Sequence, residues 1–272
     1  MAINYAAKYS DKVDERFKLG AVTAPAVNQD YDFVGVKTVN VYSIPTVAME
    51  DYTRTGSNRY GTPTELQDNV QELTLTRDRS FTFTIDKGND VDQMLVKNAG
   101  VALSRQLDEV VIPEVDMYRI ATMAAGAGST ATAAITAANA YEALLDGTVA
   151  MTEAKAPLTG RIAYVTPTFY KYIKLDPAFI KASDIAQDML IRGQIGVVDG
   201  IAIVTVPSFY LPANGAFVIT HSVATTAPIK LAEYKIHEDP PGINGALVEG
   251  RVYYDAFVLD NKKDAIYFHK TA

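Results

Sequence analysis

The sequence predicts an α+β fold whose C-terminal third is rich in strands. Three observations support this class. Residues 72–85 alternate strictly in character, residues 91–125 consist largely of helix formers, and short apolar runs recur from residue 161 onwards. A period of two is typical of a strand, whereas apolar residues spaced three to four apart are typical of a helix. The C-terminal strands are expected at 161–165, 201–206, 217–220, 229–236, 252–259 and 266–269.

The first 32 residues carry one weak pattern. Tyr5, Tyr9, Val13 and Phe17 recur every four residues, which would place one apolar stripe on a short helix. Such a helix could lie on the surface of its own domain, or it could form an arm that docks elsewhere. The pattern alone leaves both interpretations open.

Residues 33–90 contain the most informative stretch, because its alternation predicts an unusually long strand. The segment from Val34 to Val47 is expected to pair antiparallel with it. Between them lies a polar tip, residues 53–69, with Gly56 and Gly61 and with two cations. The residues that define this ribbon are Arg54 and Arg59 in the tip, and Leu73, Leu75, Arg77, Arg79, Phe81, Phe83 and Ile85 on one face of the strand.

A two-stranded ribbon is marginally stable in water, so this one must lie on another surface. Arg77 and Arg79, in the middle of its apolar face, also need carboxylate partners or solvent. The ribbon could fold back on its own domain, or it could reach onto a neighbouring subunit.

A helix from Val91 to about Ala125 would span about 50 Å at about 1.5 Å per residue. Pro113 predicts a kink or break, because it lacks an amide donor and clashes with the preceding turn. Residues 126–134 are expected to form a flexible joint. Thr136 is expected to cap a following helix that Gly147 stops.

Two further helices are predicted in the second half of the chain. Thr166-Pro167 is typical of a helix start, and Asp176-Pro177 predicts the end of that helix. Asp184 is expected to cap a short helix that runs to Ile191.

Composition excludes several classes of protein. The chain has 272 residues, 48% of them hydrophobic, and no cysteine, so disulfides and cysteine-based zinc sites are excluded. With 25 basic and 32 acidic residues the net charge is −7, and no basic cluster stands out. Binding to nucleic acid through phosphates is therefore disfavoured, although an acidic wall could enclose DNA without holding it. No apolar run is long enough to cross a membrane.

The sequence contains no pattern that predicts an active site, a cofactor site or a metal site. His221, His237 and His269 lie near predicted strand ends without metal-ligand spacing, and 237–239 is better explained as a solvated loop. Gly193, Gly196 and Gly200 superficially resemble a phosphate loop, but they precede a strand rather than a helix. Backbone turns that need a positive φ explain these glycines better. Asp184 and Asp188 are interpreted as a solvated helix face.

Four passages carry a resemblance to a known family. They are YSDKVDERFKLGAVT (9–23), RIAYVTPTFYKYIKLDPAF (161–179), GQIGVVDGIAIVTVPS (193–208) and GRVYYDAFVLDNKKDAIYFHK (250–270). Together with the order of ribbon, long helix and α+β body, they resemble the HK97-type major capsid proteins of tailed bacteriophages. The resemblance extends over essentially the whole chain.

The resemblance implies an N-terminal arm (1–32), an E-loop hairpin (33–90), a spine helix with the first part of a peripheral domain (91–132), an axial domain (133–225) and a second peripheral segment (226–272). It implies a non-enzymatic coat protein, with no cofactor, that forms the pentamers and hexamers of an icosahedral head around double-stranded DNA. Assembly would take place in the host cytoplasm.

The resemblance further implies portal and decoration proteins as partners. Because the arm begins within the first ten residues, scaffolding, if it is needed, is expected to be a separate protein. The alternatives are a shell protein of an encapsulin-like cellular compartment and an unrelated soluble enzyme.

Overall fold

The computed structural model describes residues 21–31, 33, 36–88, 99–176 and 196–272. They form a body around a six-stranded sheet, a three-stranded sheet beside a long helix, and a two-stranded ribbon. The predicted α+β class is confirmed. Three predictions fall on residues outside these ranges. They are the helix over 184–191, the four-residue pattern from Tyr5 to Phe17 and the first part of the predicted helix, residues 91–98.

The six-stranded sheet has the order β4-β13-β8-β5-β7-β6. Its strands are β4 (Ser129–Thr132), β5 (Arg161–Val165), β6 (Val197–Val198), β7 (Ile201–Thr205), β8 (Gly215–His221) and β13 (Ile266–Lys270). The central strand β5 pairs antiparallel with β8 and parallel with β7. All five residues of β5 are buried, because helices or loops cover both faces of the sheet.

Alternate residues of the central strands enter two apolar clusters. Val165, Phe217 and Tyr267 face the helices α3 (Ala140–Glu153) and α4 (Pro167–Leu175). Tyr164 and Phe268 face the C-terminal half of the long helix. Because the central strands are buried on both faces, their sequences are nearly continuous apolar runs.

The long helix runs through Ala99–Gln106 (α1), a π-helical turn at Leu107–Val111, and Ile112–Ala125 (α2). Pro113 lies in the first turn of α2, directly after the π turn. The helix therefore continues past the proline, and the irregularity that Pro113 predicts is a π turn rather than a break.

The three-stranded sheet has the order β10-β11-β3 and is antiparallel throughout. Its strands are β3 (Arg77–Asp86), β10 (Ile229–Glu238) and β11 (Gly245–Tyr254). Between β11 and β3, Arg251 donates two hydrogen bonds to the Asp78 carboxylate, from Nε at 2.9 Å and from Nη2 at 2.6 Å. This pairing lowers the pKa of Asp78.

The predicted hairpin is wrong in one respect, since residues 72–85 do not form a single strand. They divide into β2 (Asn69–Thr74) and β3, and the two belong to different sheets. Only β2 pairs with the upstream strand β1 (Thr38–Ser43), with Thr38 opposite Thr74. β3 pairs instead with β11, whose residues lie more than 150 positions later in the chain.

Two predictions about residues 126–153 are also wrong. Residues 126–134 are not a flexible joint, because they contain β4, which pairs parallel with β13. Gly147 does not stop its helix, which continues to Glu153 and begins after Asn139 rather than Thr136. A Cβ atom on Gly147 would lie 2.8 Å from both Ile219 and Tyr267, so this glycine permits close packing of α3 on the sheet.

The strand expected at 252–259 is displaced. β11 ends at Tyr254, and a separate two-residue strand, β12 (Phe257–Val258), pairs with β9 (Thr225–Thr226). The helix start at Thr166 is confirmed, since the Thr166 hydroxyl accepts a hydrogen bond from Phe169 N at 3.3 Å. Within the described part of the chain, no helix combines the length and apolarity that a bilayer crossing requires.

Candidate functional site: the β-ribbon and its anchorage

The ribbon formed by β1 and β2 projects a long segment, residues 44–68, that contains no strand. Turns shape its tip: Gly56 and Gly61 have φ values of +98° and +87°, and Arg59 Nε donates to Gly56 O at 3.2 Å. Tyr52 and Tyr60 contact edge to face, with centroids 5.0 Å apart. Arg54 lies exposed in the same tip.

The projecting segment exposes many large apolar side chains. Met49 is 99% exposed and Tyr60 is 89% exposed. Ile44, Val47, Tyr52 and Leu66 in the same segment are also more than half exposed, as are Tyr42 and Val70 in the adjoining strands β1 and β2. Exposed apolar side chains concentrated in one projection are typical of a surface that contacts another protein. The sequence predicts a polar tip over residues 53–69, whereas Tyr60 and Leu66 within it are both more than half exposed.

The base of the ribbon packs on the chain's own body. Leu73 and Leu75 are buried with Phe33 and Leu259. Gln71, two residues further out, hydrogen-bonds to the backbone of Val258 and Asp260. Part of the ribbon therefore folds against its own body, as one of the two open alternatives predicts, while residues 44–68 do not.

Asp255 accounts for the break between β2 and β3. Its carboxylate is 2% exposed and accepts hydrogen bonds from Thr76 N at 2.7 Å, Thr76 Oγ1 at 3.0 Å and Ala256 N at 2.9 Å. The Tyr118 hydroxyl donates to the same carboxylate at 2.6 Å. Burial and this hydrogen bond raise the pKa of Tyr118 to about 12. One carboxylate thus joins the strand break, the end of β11 and the long helix.

The prediction that Arg77 and Arg79 meet carboxylates is confirmed within the chain itself. Arg79 Nε donates to Glu114 Oε1 at 2.8 Å, and Arg77 lies 3.7 Å from the same oxygen. The Arg77 guanidinium also stacks 4.4 Å from the Tyr118 ring centroid. Both ion pairs are partly exposed, and such pairs contribute about 0–1 kcal/mol each.

Phe81 and Phe83 follow on the same face of β3 and are only half-buried. Their rings stack on each other, with centroids 6.3 Å apart, and Phe81 stacks at the same distance on Tyr234. Tyr234 is itself 36% exposed. This face of the three-stranded sheet is therefore an incompletely covered apolar surface.

A second anchorage holds the segment that precedes the ribbon. Asp116 on α2 is buried and accepts hydrogen bonds from Val22 N and from Thr23 N and Oγ1. The Tyr164 hydroxyl donates to Val22 O at 2.9 Å, and Arg119 donates to Thr23 Oγ1 at 3.3 Å. Burial lowers the pKa of Arg119 and raises that of Tyr164. These contacts fix residues 22–23 to the body.

The glycines of the predicted axial-domain turn differ from one another. Asp199 and Gly200, with φ values of +49° and +75°, form the two-residue turn between β6 and β7, so the prediction for Gly200 is confirmed. Gly196 has no positive φ, and a Cβ there would meet nothing within 4 Å, so the prediction for Gly196 is wrong. Gly193 lies outside the described residues.

The three histidines have separate partners. His221 Nδ1 accepts from Val223 N at 3.1 Å, and His237 lies 3.4 Å from a Glu249 carboxylate oxygen. His269 is buried on the Phe217 ring, and this burial lowers its pKa. Across the described ranges, no group of three or more histidine or acidic side chains could hold a metal ion.

Comparison with solved structures shows which fold this is. A structure from Mycobacterium phage Che8 has a TM-score of 0.74 and 18% sequence identity, covering 97% of this chain and 96% of that one. The capsid structure of cyanophage P-SCSP1u has a TM-score of 0.79 and 13% sequence identity, and the match covers 98% of this chain and 93% of that one. The mature capsid of bacteriophage PhiM1 has a TM-score of 0.76 and 15% sequence identity, and the match covers 98% of this chain and 92% of that one.

The chain has the fold of these phage capsid structures. The match includes nearly the whole of each chain. No protein-family model and no curated protein matches the sequence. At identities of 18% and below, the shared physical pattern lies in the fold rather than in the side chains.

Proposed function

We propose that the chain is the major capsid protein of a tailed bacteriophage, with the HK97-type fold and a structural, non-enzymatic role. The observation that carries this proposal is the match to phage capsid structures over 97–98% of the chain. In this proposal the chain forms the pentamers and hexamers of an icosahedral head that encloses double-stranded DNA. The same comparisons do not favour an encapsulin-like compartment or an unrelated enzyme.

In this proposal the elements are assigned to the parts of such a subunit. We assign residues 1–32 to the N-terminal arm, 33–90 to the E-loop, 91–132 to the spine helix and first peripheral part, and 133–225 to the axial domain. The second peripheral segment, 226–272, supplies β10 and β11 to the three-stranded sheet and β13 to the six-stranded sheet.

The ribbon is proposed as the contact between neighbouring subunits. Its projecting residues 44–68 expose apolar side chains that a lone subunit cannot bury. Identical head-to-tail contacts that close by rotation generate rings, which accounts for pentamers and hexamers from one chain. Arg54 and Arg59 in the tip would meet carboxylates or carbonyl groups of the adjacent subunit.

Electrostatics agree with a container rather than a nucleic-acid-binding protein. The net charge of −7 disfavours strong attraction to phosphates, so the proposed shell would enclose DNA without sequence-specific binding. The proposed location is the virion, after assembly in the bacterial cytoplasm. A separate scaffolding protein, a portal and decoration proteins are the proposed partners.

Expression of the full chain, followed by size-exclusion chromatography and negative-stain electron microscopy, tests the proposal. We expect rings and closed or aberrant shells. A variant lacking residues 53–69 should keep the melting transition of the body and lose stable shells. A full-length chain that stays strictly monomeric at high concentration, with a scaffold present, would exclude a capsid function.

A further inference from the structure

We infer that Gln71 sets the direction in which the β-ribbon leaves the body, through two side-chain hydrogen bonds that form a clasp. The inference rests on the proposed function and deepens it, because the direction of the ribbon decides where its exposed tip meets a neighbouring subunit. In this role Gln71 is a positioning residue.

The clasp uses both ends of the Gln71 amide. Nε2 donates to Val258 O at 2.9 Å, and Asp260 N donates to Oε1 at 3.1 Å. One donor and one acceptor thus contact the backbone two residues apart, as a peptide group of a paired strand would. Two simultaneous hydrogen bonds fix orientation as well as distance, which a single bond does not.

The body side of the clasp is itself fixed in place. Val258 belongs to β12, which pairs with β9, and Leu259 N donates to Ala224 O at 2.9 Å. The Leu259 side chain is buried in the same apolar cluster as Leu73. The Gln71 amide therefore holds the ribbon to a rigid part of the body.

Gln71 is also the outermost polar tether among the described residues. None of residues 44–70 makes a hydrogen bond to the body. Below Gln71, the side chains of Leu73 and Leu75 make apolar contacts, and the Tyr253 hydroxyl donates to Leu75 O at 3.1 Å. Apolar contacts are non-directional, so the direction of the ribbon depends on its hydrogen bonds. The bonds of Leu75 and Thr76 lie at the base of the ribbon, whereas those of Gln71 lie furthest along it towards the tip. A groove of about 400 Å³ between Val70 and Asn261 leaves room for the ribbon to tilt.

Pairs of spin labels measure the direction directly, and the chain has no cysteine to interfere. Labels at Ser57→Cys in the tip and Glu153→Cys at the end of α3 report one intramolecular distance, once labelled chains are diluted with excess unlabelled chain. With Gln71 in place, we expect the distribution of distances between the two labels to have one narrow maximum. In Gln71→Ala this narrow maximum should be lost. Gln67→Ala, the same change at an exposed tip glutamine, should keep the narrow maximum.

A second variant decides the question if Gln71→Ala fails to fold. In Gln71→Glu the carboxylate can accept from Asp260 N but has no proton to donate to Val258 O. Below the ordinary carboxyl pKa of about 4.3 the protonated group regains a donor. The distance maximum should therefore be broad at neutral pH and should narrow on acidification.

Two results would overturn the clasp: Gln71→Ala and Gln67→Ala giving the same narrow maximum, or a Gln71→Glu distance that does not respond to pH. Shells counted by electron microscopy from the same samples should be fewer and less uniform for Gln71→Ala. If the parent chain forms no shells, the proposed function fails, while the intramolecular distance still decides the role of Gln71.

Discussion

Replacement of Asp255 should destabilise the body more than any other single change of an acidic residue at the ribbon base. The buried carboxylate accepts four hydrogen bonds, which come from the β2–β3 break, from Ala256 and from Tyr118 on α2. Asp255→Ala removes the acceptor for all four donors. Asp255→Asn keeps one oxygen, which can still accept hydrogen bonds from Thr76. Its amide nitrogen would face the Tyr118 hydroxyl, and an amide nitrogen donates hydrogen bonds rather than accepting them.

The magnitude follows from the bonds lost. Hydrogen bonds to charged groups contribute about 1.5–3 kcal/mol each and are not additive within one network. We expect Asp255→Ala to lower the free energy of unfolding by about 3–5 kcal/mol, and Asp255→Asn by about 1–3 kcal/mol. For a chain of this size, the larger change corresponds to a fall in Tm of about 6–20 °C.

Urea denaturation and thermal melts of unassembled chain would measure both changes. Asp51→Ala, the same substitution at an exposed aspartate of the projecting segment 44–68, provides the matched control and should alter the free energy of unfolding by less than about 0.5 kcal/mol. Equal effects of Asp255→Ala and Asp51→Ala would refute the assignment of Asp255 as the junction between the two strands.

Three other predictions test the packing and the electrostatics. Gly147→Ala should destabilise the chain by about 0–2 kcal/mol in urea, because overpacking costs about 1–3 kcal/mol and the gain in helix propensity offsets about 1; a clear stabilisation would contradict the close contact with the sheet. Gly200→Val should lower Tm and soluble yield because of its positive φ, whereas Gly196→Val should behave like the parent chain, and the reverse order would contradict the described turn. The pKa of Tyr118 is about 12 in the folded chain and about 10 in an unfolded one, so its contribution to stability is complete below pH 10 and is lost as the pH rises to about 12. Urea midpoints should fall over that range, and less steeply for Tyr118→Phe; equal slopes would show that this residue does not cause the loss.

Local signals in the sequence predict local structure well. The buried strands β5 and β7 and the helix start at Thr166 all follow from residues within a few positions of each other. The turn at Gly200 was predictable for the same reason, since Asp-Gly between two apolar runs favours a tight hairpin. The ribbon was predictable only in part, since the glycines of its tip mark turns but most of the alternating stretch 72–85 belongs to β3.

Interactions between distant residues account for the errors. The alternation of residues 72–85 continues without interruption, yet β2 ends at Thr74, and the Thr76 amide donates to Asp255, 179 positions later, instead of to a strand partner. Gly147 was misinterpreted because the side chains that exclude a Cβ come from β8 and β13. The one available signal for Asp255 was a single carboxylate between aromatic residues, in YYDAF.

The position of β13 has a consequence for how the chain is made. This strand lies between β4 and β8, so it completes the six-stranded sheet only when residues 266–270 have left the ribosome. Until then β8 has an open edge, which is a template for wrong pairing with other chains. Contacts between residues so far apart in sequence also form slowly. Several ribosomes that translate one mRNA would therefore hold nascent chains with exposed β8 edges close together. We expect chaperones to associate with the nascent chain until β13 has been synthesised.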